Sequence, residues 1–109
     1  MWGRCVLRGD VYRWKGHKDA AGHVIKGPRL AVIVQADLPL STVIIAPTST
    51  GSHEASFRPI IEVDGKETRV LVEQIAAVPP ESLTKYLCHV SFSEMEAIND
   101  ALRDMLDLD

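Results

Sequence analysis

Two uninterrupted apolar runs, LAVIV at residues 30–34 and VIIA at residues 43–46, constrain the fold of this chain more than any other feature. A continuous apolar run of this length is typical of a strand that is covered on both faces. We therefore predict two adjacent core strands, at residues 30–35 and 42–49, joined by a turn over DLPLS at 37–41.

Further strand signals surround these two runs. Residues 7–14 and 68–75 are rich in β-forming side chains, and residues 56–63 alternate between apolar and polar, with a proline that marks an edge strand or a bulge. Asp64-Gly65 is a strong hairpin signal between the last two segments. Five short strands predict a small closed or nearly closed barrel.

The last third of the chain changes character. A short helix is predicted from Glu81, and Ser93 to Glu96 fits a capping box that opens a second helix. The apolar residues after it recur at helical spacing and predict one face packed against the barrel: Met95, Ile98, Leu102, Met105 and Leu106. The predicted fold class is thus mainly β (α+β), with residues 1–109 forming a single domain.

Charge and composition limit the kinds of function that are open to the chain. The formal net charge is −3, so a site for nucleic acid has to be a local basic pocket and not a field of the whole chain. No apolar stretch has the length of a membrane span, and the N-terminus lacks the apolar core of a signal peptide. These features predict a cytoplasmic protein without a membrane segment.

The metal-binding residue types are scattered. Cys5 and Cys88 lie far apart in the sequence, and the four histidines have no ligand-like spacing. Metal sites need clustered ligands, so we predict no metal, no cofactor and two free thiols.

A cation and several hydroxyl groups stand at the ends of the two core strands. Arg29 precedes the first strand, behind a long polar, glycine-rich loop at 15–28, and Thr48, Ser49 and Thr50 end the second strand. Guanidinium and hydroxyl donors together can bind a phosphate, and long loops are often functional. The alternative is an ordinary ion-paired arginine beside turn-forming hydroxyls.

A second polar pair, Glu73-Gln74, falls at the end of the predicted strand 68–75. Carboxylate and amide groups can bind the base edges of a single-stranded nucleic acid. The alternative is a solvated strand end in which the glutamine pairs with backbone.

Five segments, in order and over nearly the whole chain, resemble one known family. They are RGDVYRW, GHVIKGPRLAVIVQ, VIIAPTS, TRVLVEQI and the helix from Ser91 to Leu108. In these the chain resembles the MazF/PemK family of toxin endoribonucleases. The resemblance implies a small SH3-like barrel with added helices that works as a homodimer and cuts single-stranded RNA without a metal. It also implies restraint by a short acidic antitoxin, and a toxin–antitoxin complex that binds operator DNA.

The resemblance also assigns roles to individual residues. It implies that Arg29 is the basic catalytic residue and that the catalytic hydroxyl belongs to Ser49, two residues after Pro47. Many members have threonine at this point, so Thr48 stays open as the alternative. Contacts to the substrate are implied for His23, Lys26, Thr50, Glu73 and Gln74.

Two other functional hypotheses remain open on the sequence. One is a non-catalytic SH3-like module that binds RNA or a peptide, which needs the barrel but not the hydroxyl groups. The other is a member of the family that has lost its activity, suggested by serine at the hydroxyl position.

Overall fold

The computed structural model describes residues 6–16, 29–35, 41–51 and 53–108. In this part of the chain it contains seven strands, two short 3₁₀ helices and one α-helix. The strands are β1 (Asp10–Trp14), β2 (Arg29–Ile33), β3 (Val43–Ser49), β4 (Ile60–Val63), β5 (Lys66–Val70), β6 (Ala76–Val78) and β7 (Leu83–His89). The 3₁₀ helices span Val72–Gln74 and Pro80–Ser82, and helix α1 spans Phe92–Leu106.

The strands form one antiparallel sheet in the order β4-β5-β3-β2-β1-β7, with β6 paired to β3 off this path. The mainly β fold with a C-terminal helix is confirmed, and a curved sheet of this order is compatible with the predicted SH3-like barrel. The Asp64-Gly65 hairpin is also confirmed: both residues have positive φ, and Val63 pairs directly with Lys66. No helix in the described part of the chain is long and apolar enough to cross a membrane.

Both faces of the central strands are buried, as predicted from the apolar runs. Ala31, Val32 and Ile33 are each at most 1 % exposed. Val32 belongs to the core cluster that contains residues of α1, whereas Ala31 and Ile33 belong to a second cluster on the other face of the sheet. Alternation of side chains along a strand assigns successive residues to the two faces, so a continuous apolar run fills both clusters.

Helix α1 covers the first cluster through most of the predicted stripe. Ile98, Ala101 and Leu102 are buried there, and Met95 and Met105 pack at its margin. Leu106 departs from the prediction, because it is 48 % exposed at the last residue of the helix.

The predicted cap of α1 was wrong by two residues. The N-cap is Ser91, whose Oγ accepts from the Glu94 amide at 3.1 Å, while Glu94 Oε1 accepts from the Ser91 amide at 2.8 Å. Both Ser91–Glu94 and Ser93–Glu96 fit the capping-box pattern. In the observed frame, Glu94 Oε2 also accepts from the Glu62 amide of β4 at 2.8 Å, and this tertiary bond favours the earlier start.

Several predicted boundaries were wrong where tertiary contacts outweigh local preference. The strand predicted over 68–75 ends at Val70, because the Leu71 amide donates to the Pro47 carbonyl at 2.8 Å and the chain turns into the 3₁₀ helix Val72–Gln74. The helix predicted from Glu81 is a single 3₁₀ turn. From Leu83 onward the chain is strand β7, paired with β1.

Two of the predicted strands were too long at their N-terminal ends. The strand predicted over 7–14 begins at Asp10, whose carboxylate accepts from the Leu7 amide at 2.9 Å and holds a turn before the strand. The strand predicted over 56–63 begins at Ile60, directly after Pro59, which has no amide to donate to a neighbouring strand.

Glu94 joins the helix to the edge strand of the sheet, so its loss should weaken the whole fold. We expect Glu94→Ala to lower the free energy of unfolding by about 1–3 kcal/mol, since two backbone amides lose a charged acceptor. Urea denaturation followed by circular dichroism measures this change. Glu96→Ala is the matched control, because Glu96 is exposed on the same helix, and an equal loss in both variants would contradict the role of Glu94.

Candidate functional site

The predicted convergence of Arg29 with the hydroxyl segment is present in the structure. Arg29 is the first residue of β2, and Thr48 and Ser49 are the last residues of β3. Because the two strands are antiparallel, with Ala31 opposite Pro47, the start of one lies beside the end of the other. Arg29, Thr48, Ser49 and Thr50 all line one cleft of about 760 Å³.

The remaining lining comes from β1, β2, β4, β5, β7 and the β4–β5 turn, and it includes residues of the core. It consists of Arg13, Leu30, Val63, Asp64, Lys66, Thr68, Lys85 and Leu87. Val63 is part of the core cluster covered by α1, and Leu30 and Leu87 pack against that cluster. The cleft therefore has an apolar base on a packed core and a polar mouth, which is common in binding sites.

The two candidate hydroxyl groups differ in what they already bind. Thr48 is 3 % exposed and its Oγ1 donates to the Leu30 carbonyl at 3.2 Å. Ser49 is half-buried and its Oγ accepts from the Gly51 amide at 3.3 Å. A hydroxyl has a single proton to donate. The Thr48 proton is used within the fold, whereas the Ser49 proton has no acceptor among the described residues and can be donated to a ligand.

The cleft is strongly cationic although the chain as a whole is acidic. Its lining contains four cationic side chains, Arg13, Arg29, Lys66 and Lys85, and one carboxylate, Asp64. None of the four cations forms an ion pair within 4 Å with any residue that the structure describes. Unpaired cations around a cleft attract an anionic ligand, and this is the local basic pocket that the net charge requires of a nucleic-acid site.

The sequence did not identify three of the cleft cations, Arg13, Lys66 and Lys85, as candidate site residues. Arg13 lies opposite Leu30 of β2 and opposite Lys85 of β7, so strand pairing brings it to the cleft. That pairing cannot be read from the sequence. Lys66 was within reach of prediction, because a two-residue Asp64-Gly65 turn puts it at the first position of the returning strand.

Comparison with known proteins agrees with this geometry. The model of a family described as PemK-like, MazF-like toxin of type II toxin–antitoxin system matches residues 7–106. The chain belongs to this family. Among curated relatives, a candidate toxin of Mycobacterium tuberculosis, Rv3098A, is 43 % identical over 74 residues, covering 67 % of this chain and 70 % of the relative. Endoribonuclease EndoA of Bacillus subtilis is 27 % identical over 112 residues, covering 94 % and 96 %.

Solved structures share the fold of this toxin. MazF from Deinococcus radiodurans superposes with a TM-score of 0.78 at 16 % identity, covering 94 % of this chain and 96 % of that one. An endoribonuclease from a mycobacterial species, solved in complex with its cognate antitoxin, superposes with a TM-score of 0.77 at 22 % identity, covering 96 % and 98 %.

Glu73 and Gln74 are not among the residues that line the cleft. Both lie in the 3₁₀ helix after β5, and Glu73 Oε2 forms an ion pair with Arg58 Nη2 at 2.7 Å. Their role in substrate binding remains a prediction. His23 and Lys26 lie outside the described residues.

The described residues contain no group of three or more histidine, cysteine, aspartate or glutamate side chains placed to hold a metal ion. Cys88 is a free thiol on β7, outside the cleft lining. Burial raises its pKa, and the carboxylates of Asp64, Glu94 and Asp10 raise it further. A thiol with a raised pKa is a poor nucleophile near neutral pH.

Because the two hydroxyl groups form different hydrogen bonds, removing each of them should change the stability of the protein by a different amount. We expect Thr48→Val to lower the free energy of unfolding by about 1 kcal/mol, because the part-buried hydrogen bond to the Leu30 carbonyl is lost. Ser49→Ala should stay within about 0.5 kcal/mol of the unsubstituted toxin, because the Gly51 amide that loses its acceptor is exposed and can bond to water instead. Chemical denaturation measures both values, and a larger loss for Ser49→Ala would reverse the assignment.

Proposed function

We propose that this toxin is a metal-independent, sequence-specific endoribonuclease that cleaves single-stranded RNA and thereby inhibits translation and growth. The observation that carries the proposal is the convergence of Arg29 and Ser49 in one cleft whose cations have no ion-pair partner among the described residues. Membership of the toxin family and the relative named Endoribonuclease EndoA support the same activity.

The proposed reaction uses a nucleophile that the RNA itself supplies. The ribose 2′-oxygen attacks the adjacent phosphorus and loses its proton, the bond from phosphorus to the 5′-oxygen breaks, and that oxygen takes up a proton. The products are a 2′,3′-cyclic phosphate and a 5′-hydroxyl end, and later addition of water opens the ring to a 3′-phosphate. DNA lacks the attacking hydroxyl and is not a substrate.

In this reaction Arg29 stabilises the negative charge that builds on the non-bridging oxygens. A guanidinium presents several donors in a fixed plane and keeps its charge at any working pH, so we assign it mainly to charge stabilisation and only secondarily to proton transfer. Ser49 donates its free proton to a non-bridging oxygen or orients the attacking group. Its Oγ is held by the Gly51 amide, and the hydroxyl proton is left available.

Other residues complete the proposal. His23 carries an imidazole, a group that can accept and donate a proton, and is our candidate for moving the proton or holding RNA. Lys26, Lys66, Lys85 and Arg13 contact phosphates of the RNA backbone. The opposite sign of Asp64 limits how many phosphates the cleft can hold at once.

We further propose that a short acidic antitoxin covers this cleft, because carboxylates can replace RNA phosphates on the same cations. The family description and the related structure with its cognate antitoxin support such a partner. From the resemblance to the family we also propose a cytoplasmic homodimer whose antitoxin complex binds operator DNA.

The proposed reaction predicts a specific cleavage signature. Purified toxin, free of antitoxin and in EDTA, should cut a mixed pool of single-stranded RNA and leave 5′-hydroxyl ends, which polynucleotide kinase labels without prior dephosphorylation. Arg29→Ala should show no detectable cleavage. Ser49→Ala should slow cleavage by roughly 10²-fold, the usual cost of removing one transition-state donor.

Arg103→Ala is the matched control, since Arg103 is an exposed arginine paired with Asp100 on α1 and should leave the rate unchanged. If the RNA pool stays intact, the chain is a binding module or an inactive member of the family. If Arg29→Ala cuts as well as the unsubstituted toxin, the chemistry lies elsewhere.

The unpaired cations predict a salt-dependent affinity. For a 2′-O-methyl oligonucleotide, which lacks the attacking hydroxyl, log Kd should rise linearly with log salt concentration, and Lys85→Ala should reduce the slope by about 0.7, the value for one phosphate of a single strand. The effect should be similar across oligonucleotide sequences, because phosphate contacts carry no sequence information. Fluorescence anisotropy over a salt series measures the slope. An unchanged slope would remove Lys85 from the binding surface.

A further inference from the structure

Arg58, in the segment between β3 and β4, forms hydrogen bonds through all three nitrogens of its guanidinium. Its Nε and Nη2 donate to Glu73 Oε2 at 3.0 and 2.7 Å, and its Nη1 donates to the His53 carbonyl at 3.0 Å. Its guanidinium carbon also lies 5.5 Å from the centre of the Phe57 ring. With all three nitrogens engaged inside the fold, Arg58 is placed to hold structure and not to contact RNA.

The hydrogen bonds of Arg58 restrain the segment between β3 and β4, which begins at the cleft. Residues 50–59 connect β3 to β4, and Thr50, the first of them, lines the cleft directly after Ser49. The far end of the segment is held by the Pro59 carbonyl, which accepts from the Val70 amide at 2.8 Å. Between these ends, the ion pair of Arg58 with Glu73 is the described link from the segment to the 3₁₀ helix after β5.

This link is strong enough to set the position of the segment. Both side chains are only 22 % exposed, so the pair is better shielded than a surface ion pair, and loss of either partner leaves the other charge uncompensated. Few other bonds order the described part of the segment. The Arg58 amide donates to the Ala55 carbonyl at 3.0 Å, and the Gly51 amide donates to Ser49 Oγ.

The geometry of the pair leaves one carboxylate oxygen of Glu73 without a donor among the described residues. Glu73 Oε1 is buried and has no hydrogen-bond partner among the described residues, because both Arg58 donors meet on Oε2. A buried carboxylate oxygen without a donor lowers stability, so the pair holds the two elements together at some cost to the fold.

We propose that Arg58 and Glu73 are positioning residues that set the 53–58 segment beside the nucleotide next to the scissile phosphate, and so determine which RNA sequence is cleaved. This inference rests on the proposed ribonuclease function. It gives Glu73 a role in specificity through the segment that Arg58 holds, in place of direct contact with a base. Segments that follow a rigid strand end commonly carry such selectivity.

The experiment compares cleavage profiles of the full chain and its variants on a random single-stranded RNA pool, with sequencing of all 5′-hydroxyl ends. We expect Arg58→Gln and Glu73→Gln each to broaden the nucleotide preference beside the cut, and to lower kcat/KM at the preferred site at least tenfold more than at disfavoured sites. The double variant should be no worse than either single variant, because both remove the same link. Arg58→Lys, which keeps the charge, should restore part of the preference.

Arg103→Gln is the matched control, since it breaks an ion pair of the same type that is exposed on α1, and it should leave the profile unchanged. A profile identical to that of the unsubstituted toxin in Arg58→Gln, or an equal loss of rate at every sequence, would overturn the inference.

Hydrogen exchange tests the positioning role without RNA and therefore separately from the proposed function. The Arg58 amide, which donates to the Ala55 carbonyl, should exchange at least tenfold faster in Arg58→Gln and Glu73→Gln than in the unsubstituted toxin, while amides of β2 and β3 stay protected. Unchanged exchange in the segment would overturn the inference even if RNA cleavage is observed. Absence of cleavage by the unsubstituted toxin would instead refute the ribonuclease function.

Discussion

The antiparallel pairing of β2 with β3 is the interaction on which both the core and the site depend. Its register places Ala31 opposite Pro47, so the alternating side chains of both strands fill the clusters on the two faces of the sheet. The same register puts Arg29 at the start of one strand beside Ser49 at the end of the other. A slip of one residue would exchange the faces of the strand and move the cation away from the hydroxyl group. Packing energy thus fixes the geometry of the site.

The cleft concentrates positive charge on a chain whose net charge is negative. With a net charge of −3, the protein as a whole repels a polyanion, so attraction has to come from charges gathered at short range. Three strands distant in sequence each contribute a cation: Arg13 from β1, Lys66 from β5 and Lys85 from β7, beside Arg29. Because none of them is neutralised by a described carboxylate within 4 Å, their charge remains available to a ligand.

The sequence predicted those parts of the structure that follow from local pattern. The two buried strands, the Asp64-Gly65 hairpin and the buried stripe of α1 are local signals, and Arg29 and Ser49 were identifiable because each stands at a strand end. The start of α1 and the end of β5 were not predictable, since Glu94 is held by an amide of β4 and Leu71 by a carbonyl of β3. The cations Arg13 and Lys85 escaped for the same reason: their position depends on strand pairing across the whole chain.

The two adjacent hydroxyl groups at the end of β3 have different roles: one contributes to packing, and the other can contact a ligand. Thr48 is branched at Cβ and buried, and its proton is used on the Leu30 carbonyl, so it contributes to the fold and is poorly placed to donate to a phosphate. Ser49 is unbranched and would rotate freely on its own. The Gly51 amide, donating to its Oγ, restricts that rotation and leaves the proton free. A bond from the following turn can thus restrict an unbranched side chain in the way that branching at Cβ restricts Thr48.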